Sequence, residues 1–339
     1  MKTQKLVVIT EGGKEIGFGH ITRTLSIATH FFNFGYELHF IINGDDSLVD
    51  IMKPYFYEIY NWQAETQRLE KSLQDCQLIL LDSMKISDNQ IKKLETLHIP
   101  IIYIDDEKQR NILERGFVVD WTVLRDNDNS FLPKKENVKY FLGSLFTPLR
   151  QPFLEASQNP INQEVKKIMI TFGGSDVRNL TPFIAKILNT NFPNLEKDII
   201  IGGGFDNIDE IQKYTTHNTN LIYNATAKEM IASMRTSDIA IAAGGQTLYE
   251  LAKIGIPTIG ILLVENAKDD TLGWAKTGFL KYVGEFDTPS LQESLIDTIE
   301  NLFSYKIRLE MQQNGSTHIS EDGGKLLVQE IIKGLHDTF

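Results

Sequence analysis

Short apolar runs rich in β-branched residues recur along the whole chain, and segments with the period of an amphipathic helix lie between them. Within each run almost every residue is apolar, so both faces of the strand must be buried, as they are in a parallel sheet covered by helices. The sequence therefore predicts an α/β protein with doubly wound topology. The predicted strands are 6–10, 38–42, 78–82, 101–105, 138–142, 168–172, 199–201, 221–223, 239–242 and 258–263, and the predicted helices include 179–190, 227–235, 246–254 and 290–303.

The pattern of strands and helices restarts near residue 168, after a polar segment that contains Pro152 and Pro160. Because these prolines disfavour regular structure, we expect a hinge at 150–166. The 339 residues are enough for two cores at about 150 residues per domain. The sequence predicts domains at 1–155 and 156–339, and the apolar stripe at 323–335 predicts a closing helix that returns to the first domain.

Composition and charge exclude several classes of protein. The chain has 34 Lys and Arg residues against 45 Asp and Glu residues, and its net charge of -11 would repel a nucleic-acid backbone. Its single cysteine, Cys76, cannot form an internal disulfide or a cysteine-based zinc site, which fits a reducing compartment. No apolar run is long enough for a signal peptide or a membrane span, so we expect a cytoplasmic protein.

The glycine-rich loop after the first strand places His20 at the start of a helix, behind Gly17 and Gly19. Ligands of open α/β sheets bind at the carboxyl ends of the strands, so this loop should face a ligand. It is neither a dinucleotide-binding loop nor a Walker loop, because Thr22 stands where a third small residue is needed and no Gly-Lys-Ser/Thr follows. The positive end of a helix favours a neutral imidazole, so His20 is either a general base or a buried residue that caps the turn.

Two further glycine loops follow strands in the second half. In each, a strand ends in paired glycines close to the start of a helix, so small residues and backbone amides meet there, which suits a diphosphate. Glu250, one turn into the second of these helices, could accept both hydroxyls of a ribose. Two such loops in one half predict a nucleotide site. Its candidate residues are Gly174, Ser175 and Asp176 in the first loop and Gly245, Gln246, Thr247 and Glu250 in the second.

Other strand ends allow both a functional and a structural interpretation. The three glycines at 202–204 either leave room for a flat base or form a tight turn. Asp82, Asp105 and Asp106 end strands, where carboxylates serve as metal ligands, as orienting partners of His20, or as caps and turn residues. Because no His or Cys supports a metal site there, none is predicted.

Several motifs, in this order along the chain, resemble those of the PseG/SpsG family of GT-B-fold proteins. They are Ile16-Gly-Phe-Gly-His-Ile-Thr-Arg23, Ile104-Asp-Asp-Glu107, Gly143 through Arg150 to Phe153, Phe172-Gly-Gly-Ser-Asp-Val-Arg-Asn-Leu180, Glu250, and Asn266 with Gly273-Trp-Ala-Lys-Thr-Gly278. The best-understood members of the family are UDP-2,4-diacetamido-2,4,6-trideoxy-β-L-altropyranose hydrolases of pseudaminic acid biosynthesis. The late glycine loop is also similar to that of UDP-GlcNAc-using GT-B transferases.

The resemblance implies two Rossmann-like domains with a cleft between them, UDP held by the second domain, and the sugar facing the first. It also implies that His20 is the general base that activates water, and that UDP departs with inversion and without a metal or other cofactor. Glu250 would hold the ribose. Gly19 and Asn266 complete the predicted contacts with the UDP-sugar, Asn266 from a loop that closes near the sugar.

The sequence departs from the family pattern at three places. Glu11 replaces an aspartate, Ser83-Met84 replace a His-Tyr pair, and Ala267 replaces a glutamine. These changes concern the sugar contacts and the network that activates water, and they leave the nucleotide half intact. Two alternatives to a hydrolase therefore stay open: an inverting GT-B glycosyltransferase with a UDP-sugar donor, and a catalytically degenerate protein that binds a nucleotide sugar.

Overall fold

The computed structural model describes residues 4–14, 16–105, 113–126 and 135–338. The chain divides into two units, the first formed by Met1–Leu149 with Asp322–Phe339 and the second by Arg150–Glu321. It therefore passes from the first unit to the second after Leu149 and returns after Glu321. The segment 150–166, where the sequence predicts a hinge, lies in the second unit.

The described residues of the first unit form a seven-stranded sheet. Its strands are β1 Gln4–Gly12, β2 Tyr36–Gly44, β3 Phe56–Ile59, β4 Leu78–Leu81, β5 Ile101–Ile104, β6 Gly116–Asp120 and β7 Val138–Leu142, and the helices between them are α1 Gly19–Asn33, α2 Val49–Met52, α3 Thr66–Ser72 and α4 Asp88–Glu95. All neighbours are parallel, and the spatial order is β3-β2-β1-β4-β5-β6-β7. The order reverses between β1 and β4, which is where open α/β sheets bind ligands.

The second unit, which is described throughout, contains a six-stranded parallel sheet. Its elements are α5 Gln151–Leu154, β8 Lys167–Thr171, α6 Leu180–Asn191, β9 Glu196–Ile201, α7 Ile208–Gln212, β10 Thr219–Tyr223, α8 Ala227–Thr236, β11 Ile239–Ala243, α9 Gln246–Ile254, β12 Thr258–Leu262, α10 Lys268–Thr277, β13 Leu280–Glu285, α11 Leu291–Asn301 and α12 Tyr305–Ser316. The strand order is β10-β9-β8-β11-β12-β13, so here the reversal falls between β8 and β11.

The apolar runs become the central strands because both of their faces are covered. Leu6, Val7, Val8 and Ile9 of β1 are all fully buried, although successive side chains of a strand point to opposite faces. The predicted α/β architecture of parallel sheets with helices is confirmed in both units. Three strands that the sequence did not predict, β3, β6 and β13, complete the sheets.

The last helix, α13 (Gly323–Thr338), belongs to the first unit. Its Leu327, Val328 and Ile331 are fully buried, and Gly324 lies so close to the ring of His30 in α1 that a Cβ there would be 3.0 Å from it. Within the described part of the chain, none of the helices has both the length and the apolar character that a membrane crossing needs.

Candidate active site

The carboxyl ends of β1 and β4 lie at the reversal point of the first sheet, and α1 begins beside them. Two backbone hydrogen bonds between Gly13 and Gly17, of 3.0 and 2.7 Å, close the turn that precedes α1. Gly17 has a φ of 89°, a conformation that favours glycine. His20 is the second residue of α1, and a Cβ on the neighbouring Gly19 would meet no atom within 4 Å. The fold therefore leaves open space beside Gly19.

The His20 ring is held by a carboxylate from the next strand in the sheet. Its Nδ1 lies 2.8 Å from Oδ1 of Asp82, which follows β4 and is fully buried. Arg23, one turn further along α1, donates from Nε to Oδ2 at 2.7 Å and from Nη2 to Oδ1 at 2.6 Å of the same carboxylate. The guanidinium also lies 5.4 Å from the ring centroid of Trp121, a cation–π distance.

The contact with Asp82 determines which nitrogen of His20 carries the proton. An ionised carboxylate can only accept, so at 2.8 Å the Nδ1 atom must be the donor. The 3.1 Å approach of Arg23 Nη2 to Nδ1 is then a contact between two donors that share Oδ1 as their acceptor. Nε2 is left as the ring nitrogen that can take a proton, the same logic that orients the histidine of a catalytic triad.

The charge of Asp82 is fixed by its two partners. Burial alone raises the pKa of this carboxyl, but the Arg23 guanidinium and the His20 ring outweigh burial and hold the pKa well below its usual range. Asp82 is therefore a carboxylate at any neutral pH. Sequence reasoning named Asp82 as one possible partner of His20 but did not assign Arg23 to the site; its three-residue spacing from His20, which puts both on one face of a helix, was the available signal.

In the second unit, the loops after β8 and β11 flank the reversal point of the sheet. The two strands are hydrogen-bonded neighbours, with Thr171 opposite Ala242, so both glycine loops lie at the same edge. Arg178 of the first loop donates from Nε to the carbonyl of Leu263 at 3.1 Å, which ties this loop to the end of β12. The topology thus brings the predicted nucleotide loops together.

Asp176 binds backbone amides that the sequence predicted to be free for a diphosphate in the first loop. Its buried carboxylate accepts from the amides of Leu180 at 2.9 Å and Thr181 at 2.7 Å, and from Nδ2 of Asn207 at 3.0 Å. The sequence predicted free amides for a diphosphate at this helix start, but these two amides are already used by Asp176. Of the three candidate residues in this loop, Gly174 and Ser175 are partly exposed, whereas Asp176 is buried.

Gly202, the first of the three glycines at 202–204, has a structural explanation. A Cβ on Gly202 would lie 2.4 Å from the carbonyl oxygen of Gly174 and 2.6 Å from that of Gly173. Gly204 also donates its amide to the Gly174 carbonyl at 2.9 Å. Glycine at 202 is thus required by the close packing of two loops, and this packing explains Gly202 without a bound base.

The second loop reaches α9 without a side-chain cap. Gly245 precedes the helix with a φ of 106°, and a Cβ there would meet no atom within 4 Å. Gly244 is packed closely, because its Cβ would lie 2.8 Å from the carbonyl oxygen of Ala267. The turn Glu265–Ala267 therefore lies against the glycine loop, which brings Asn266 to the same edge as Gln246 and Thr247.

Glu250 is held by a partner that the sequence did not suggest. Its buried carboxylate accepts from Arg150 twice, from Nε to Oε1 at 2.7 Å and from Nη2 to Oε2 at 2.9 Å. The guanidinium also lies 4.9 Å from the ring centroid of Phe153. Because each carboxylate oxygen has a second lone pair, Glu250 can still accept from ribose hydroxyls while Arg150 fixes its orientation.

The remaining acidic candidates do not form a metal centre with the residues that the structure describes. Asp105 is buried and its amide donates to the carbonyl of Val119 at 2.9 Å, whereas Asp106 and Glu107 lie outside the described residues. In the described ranges, no three His, Cys, Asp or Glu side chains converge as metal ligands would.

A cavity of about 790 Å³ lies at the carboxyl edge of the first sheet. Its polar side chains come from the loops after three neighbouring strands, β2, β1 and β4. It is lined by Gly12, Lys14, Ile16, Asn43, Gly44, Asp45, Asp46, Ser47 and Lys85. This volume lies within the range of about 300–1,000 Å³ that is typical of small-molecule sites.

No protein-family model matches the chain, but curated relatives do. An uncharacterized protein of Methanocaldococcus jannaschii is 24% identical over 267 residues, which are 75% of this chain and 55% of that protein, so the chain spans about half of this relative's length. The spore coat polysaccharide biosynthesis protein SpsG of Bacillus subtilis is 22% identical over 97% of this chain and 98% of its own. The UDP-2,4-diacetamido-2,4,6-trideoxy-β-L-altropyranose hydrolase of Campylobacter jejuni is 24% identical over 81% of this chain and 97% of its own.

Solved structures give the fold. Acinetobacter baumannii MurG has a TM-score of 0.69 at 14% identity and covers 97% of this chain and 99% of its own. Arabidopsis thaliana UGT89C1 complexed with UDP has a TM-score of 0.72 at 10% identity, over 98% of this chain and 99% of its own. The predicted GT-B fold is confirmed by this likeness, and the relatives named SpsG and altropyranose hydrolase support the resemblance to the PseG/SpsG family.

Proposed function

We propose that the chain is a nucleotide-sugar hydrolase that splits a UDP-linked, diacetamido-type deoxy sugar into UDP and free sugar, with inversion at the anomeric carbon. The relatives support an enzyme of nucleotide-sugar metabolism in general. The observation that carries the finer proposal is the His20 ring, whose Nδ1 is fixed by Asp82 so that Nε2 is the proton acceptor. The pathway is pseudaminic or nonulosonic acid synthesis for a surface glycan, in the cytoplasm.

In this reaction a water oxygen attacks the anomeric carbon while the bond from that carbon to the diphosphate oxygen breaks. The electron pair of the broken bond leaves with UDP, and a proton of the water goes to Nε2 of His20. The resulting imidazolium is stabilised by the Asp82 carboxylate at Nδ1. Attack from the face opposite the leaving group gives the inverted configuration.

The second unit supplies the binding of UDP in this proposal. Glu250 accepts from the ribose, Gln246 and Thr247 present the start of α9 to the diphosphate, and Asn266 approaches from the adjoining turn. Gly174, Ser175 and Gly245 allow the close approach of the phosphates, while Asp176 acts indirectly by fixing the loop. Helix-start amides stabilise the charge that develops on UDP as it leaves.

The experiment is an incubation of the purified chain with UDP-2,4-diacetamido-2,4,6-trideoxy-altropyranose, followed by proton NMR of the anomeric signals. We expect UDP and free sugar to appear without any added alcohol, with the inverted anomer formed first. Binding of the UDP-sugar without turnover would instead identify a degenerate binding protein. Release of UDP only after an acceptor alcohol is added would identify a transferase.

The cavity in the first unit favours transfer as the second candidate function. At about 790 Å³ it is large enough for a sugar acceptor, and Lys14, Lys85 and Asp45 line it with groups that can bind hydroxyls or an anion. In that case His20 would deprotonate the acceptor hydroxyl instead of water. The acceptor dependence of UDP release in the same assay separates the two reactions.

A further inference from the structure

Glu11 is a buried carboxylate near the end of β1, and it binds the chain that leaves β4. Its side chain is fully buried, its Oε2 accepts from the Ser83 hydroxyl at 2.9 Å, and its Oε1 accepts from the Met84 amide at 2.8 Å. Ser83 directly follows Asp82. Two of the sequence's departures from the family pattern, Glu11 and Ser83-Met84, are therefore in direct contact with each other.

These bonds hold the chain just beyond the point where the pairing of β1 and β4 ends. The ladder between β1 and β4 ends with the pair of Ile9 and Leu81, and the last backbone bond runs from the Asp82 amide to the Ile9 carbonyl at 3.0 Å. Beyond this point the described residues of the two strands form no further ladder, and the Glu11 side chain continues the connection for two more residues. Asp82 is thus held from both sides, by the ladder before it and by Glu11 after it.

Ser83 links Glu11 to the turn that follows. The Ser83 hydroxyl donates to Glu11 and accepts from the Lys85 amide at 3.1 Å. Glu11, Ser83 and the amides of Met84 and Lys85 therefore form one network whose geometry sets the direction in which the chain leaves Asp82. Both bonds of Glu11 require the reach of its side chain, which aspartate would shorten by one methylene.

We propose that Glu11 is a positioning residue for the proposed reaction: it fixes the loop after β4 so that the Asp82 carboxylate meets His20 and Arg23 in the orientation that frees Nε2. This inference rests on the proposed function of His20 as the base. It assigns Glu11 no contact with the substrate. Its effect passes through Ser83 and Asp82 to the ring.

The test compares Glu11→Asp with Glu11→Gln in the full-length chain. Glutamine has the length of glutamate and keeps both bonds, because its oxygen accepts from the Met84 amide and its nitrogen donates to the Ser83 oxygen. We expect kcat of Glu11→Gln to stay within about threefold of the parent, and kcat of Glu11→Asp to fall about 10- to 100-fold with little change in KM, since misplacement of a catalytic group acts on the chemical step.

A control for the loss of one methylene is Glu95→Asp, at a partly exposed glutamate. Glu95 also uses its carboxylate to hold a neighbouring segment, accepting from the amides of Glu114 at 2.7 Å and Arg115 at 3.3 Å, but it lies at the end of α4, away from Asp82. We expect its shortening to leave kcat unchanged. An equal loss in Glu95→Asp and Glu11→Asp would overturn the proposal, because it would show a general response to a weakened loop.

A second measurement tests the proposal without an activity assay. Nitrogen-15 NMR of the histidine-labelled chain, with the His20 signals assigned by their absence in His20→Ala, reports which ring nitrogen carries the proton. We expect Nδ1–H in the parent and in Glu11→Gln, and a mixture of tautomers in Glu11→Asp. An unchanged Nδ1–H signal in Glu11→Asp overturns the positioning role, whereas a parent that shows Nδ1–H but hydrolyses no UDP-sugar overturns only the proposed function.

If Glu11→Asp does not fold, Ser83→Ala tests the same network, because it removes the bond from Ser83 to Glu11 and the bond from the Lys85 amide to Ser83. We expect a loss of kcat smaller than about tenfold and a partial change of tautomer. Ser83→Ala should lower kcat by the same factor in Glu11→Gln as in the parent. The side-chain amide of the glutamine and the carboxylate of the parent both bind the Ser83 hydroxyl, so both lose this bond. A Ser83→Ala variant with parental kcat and parental tautomer contradicts the proposal.

Discussion

At the residue scale, the Asp82 carboxylate accepts from two side chains of one helix, the His20 ring and the Arg23 guanidinium. Arg23 is permanently charged, so it keeps Asp82 ionised, and an ionised carboxylate can only accept. Asp82 thereby sets the tautomer of His20, and Arg23 sets the charge of Asp82. Each of the three side chains has a separate role, although all three meet at one carboxylate.

His20→Ala should lower kcat by about two to four orders of magnitude, the usual loss when a general base is removed. The affinity for UDP should change by less than about twofold, because the proposed UDP contacts belong to the second unit. Steady-state kinetics and calorimetric titration with UDP measure the two quantities. His217→Ala, which removes an exposed histidine of the second unit, is the control, and turnover of His20→Ala at the control's rate would remove His20 from the mechanism.

At the element scale, two buried histidines couple the packing of the first unit to pH. His30 lies on α1, 3.3 Å from Asp322 at the start of α13, and His39 is buried within β2, 3.1 Å from Glu58. Burial lowers the pKa of both rings; Lys325 adds to the effect at His30 and Lys5 at His39, while Asp322 and Glu58 oppose it. Both rings therefore resist protonation in the folded chain.

The consequence is a loss of stability on mild acidification. An unfolded histidine binds its proton near pH 6.5, and the folded rings bind theirs only at lower pH, so the unfolded state gains protons first. Above about pH 7.5 these rings should not affect the free energy of unfolding. Between about pH 7 and 5.5 the free energy of unfolding should fall, by at most about 1.4 kcal/mol per pH unit for each proton that unfolding takes up. Urea unfolding across this range measures the slope, and a double His30→Gln, His39→Gln variant with an equally steep slope would assign it to other groups.

How much of the fold the sequence predicts depends on how each strand is buried. β1 and β4 lie in the sheet centre and read as unbroken apolar runs, so they were predicted directly. β3 and β13 are edge strands whose apolar runs are interrupted after two residues, by Glu58 in β3 and by Gly284 in β13. The other two edge strands, β7 and β10, keep three consecutive apolar residues and were predicted. β6 is fully buried, and its three consecutive apolar residues equal the runs of β9 and β10, so run length does not explain why this strand was missed.

Each loop of the candidate site is a local pattern that the sequence predicts, but the sequence does not determine which distant side chains hold the loop residues. The glycine loop with His20 is a local pattern, whereas Asp82 was only one of several acids that the sequence offered as its partner, and Arg150 was not suggested as the partner of Glu250. Asp82 is 62 residues from His20, and Arg150 is 100 residues from Glu250. The first pair forms because β1 and β4 are neighbours in the sheet, and the second because α5, which follows Arg150, packs against α9. A sequence predicts strands and helices more readily than the way they pack.

At the scale of the whole molecule, the two units differ in how the chain builds them. The unit with the predicted nucleotide loops is one continuous stretch, Arg150–Glu321, whereas the unit with His20 is closed by the returning segment Asp322–Phe339. α1, which carries His20, packs against α13, where Leu327, Val328 and Ile331 are buried. The proposed catalytic base therefore depends on the far end of the chain, and the proposed nucleotide site does not.

This asymmetry predicts that damage to α13 separates turnover from UDP binding. Val328→Asp places a charge in the contact between α13 and the first unit, and burying an unpaired carboxylate destabilises that contact strongly. We expect a lower thermal midpoint for the first unit and a loss of kcat of about tenfold or more, while the Kd for UDP stays within about twofold. Gln329→Asp adds the same charge one residue later on the exposed face of α13, so it should leave all three quantities unchanged. An equal loss of kcat in both variants would mean that the added charge, and not the packing of α13, is responsible. A loss of UDP affinity in Val328→Asp alone would show that the proposed nucleotide site depends on the first unit.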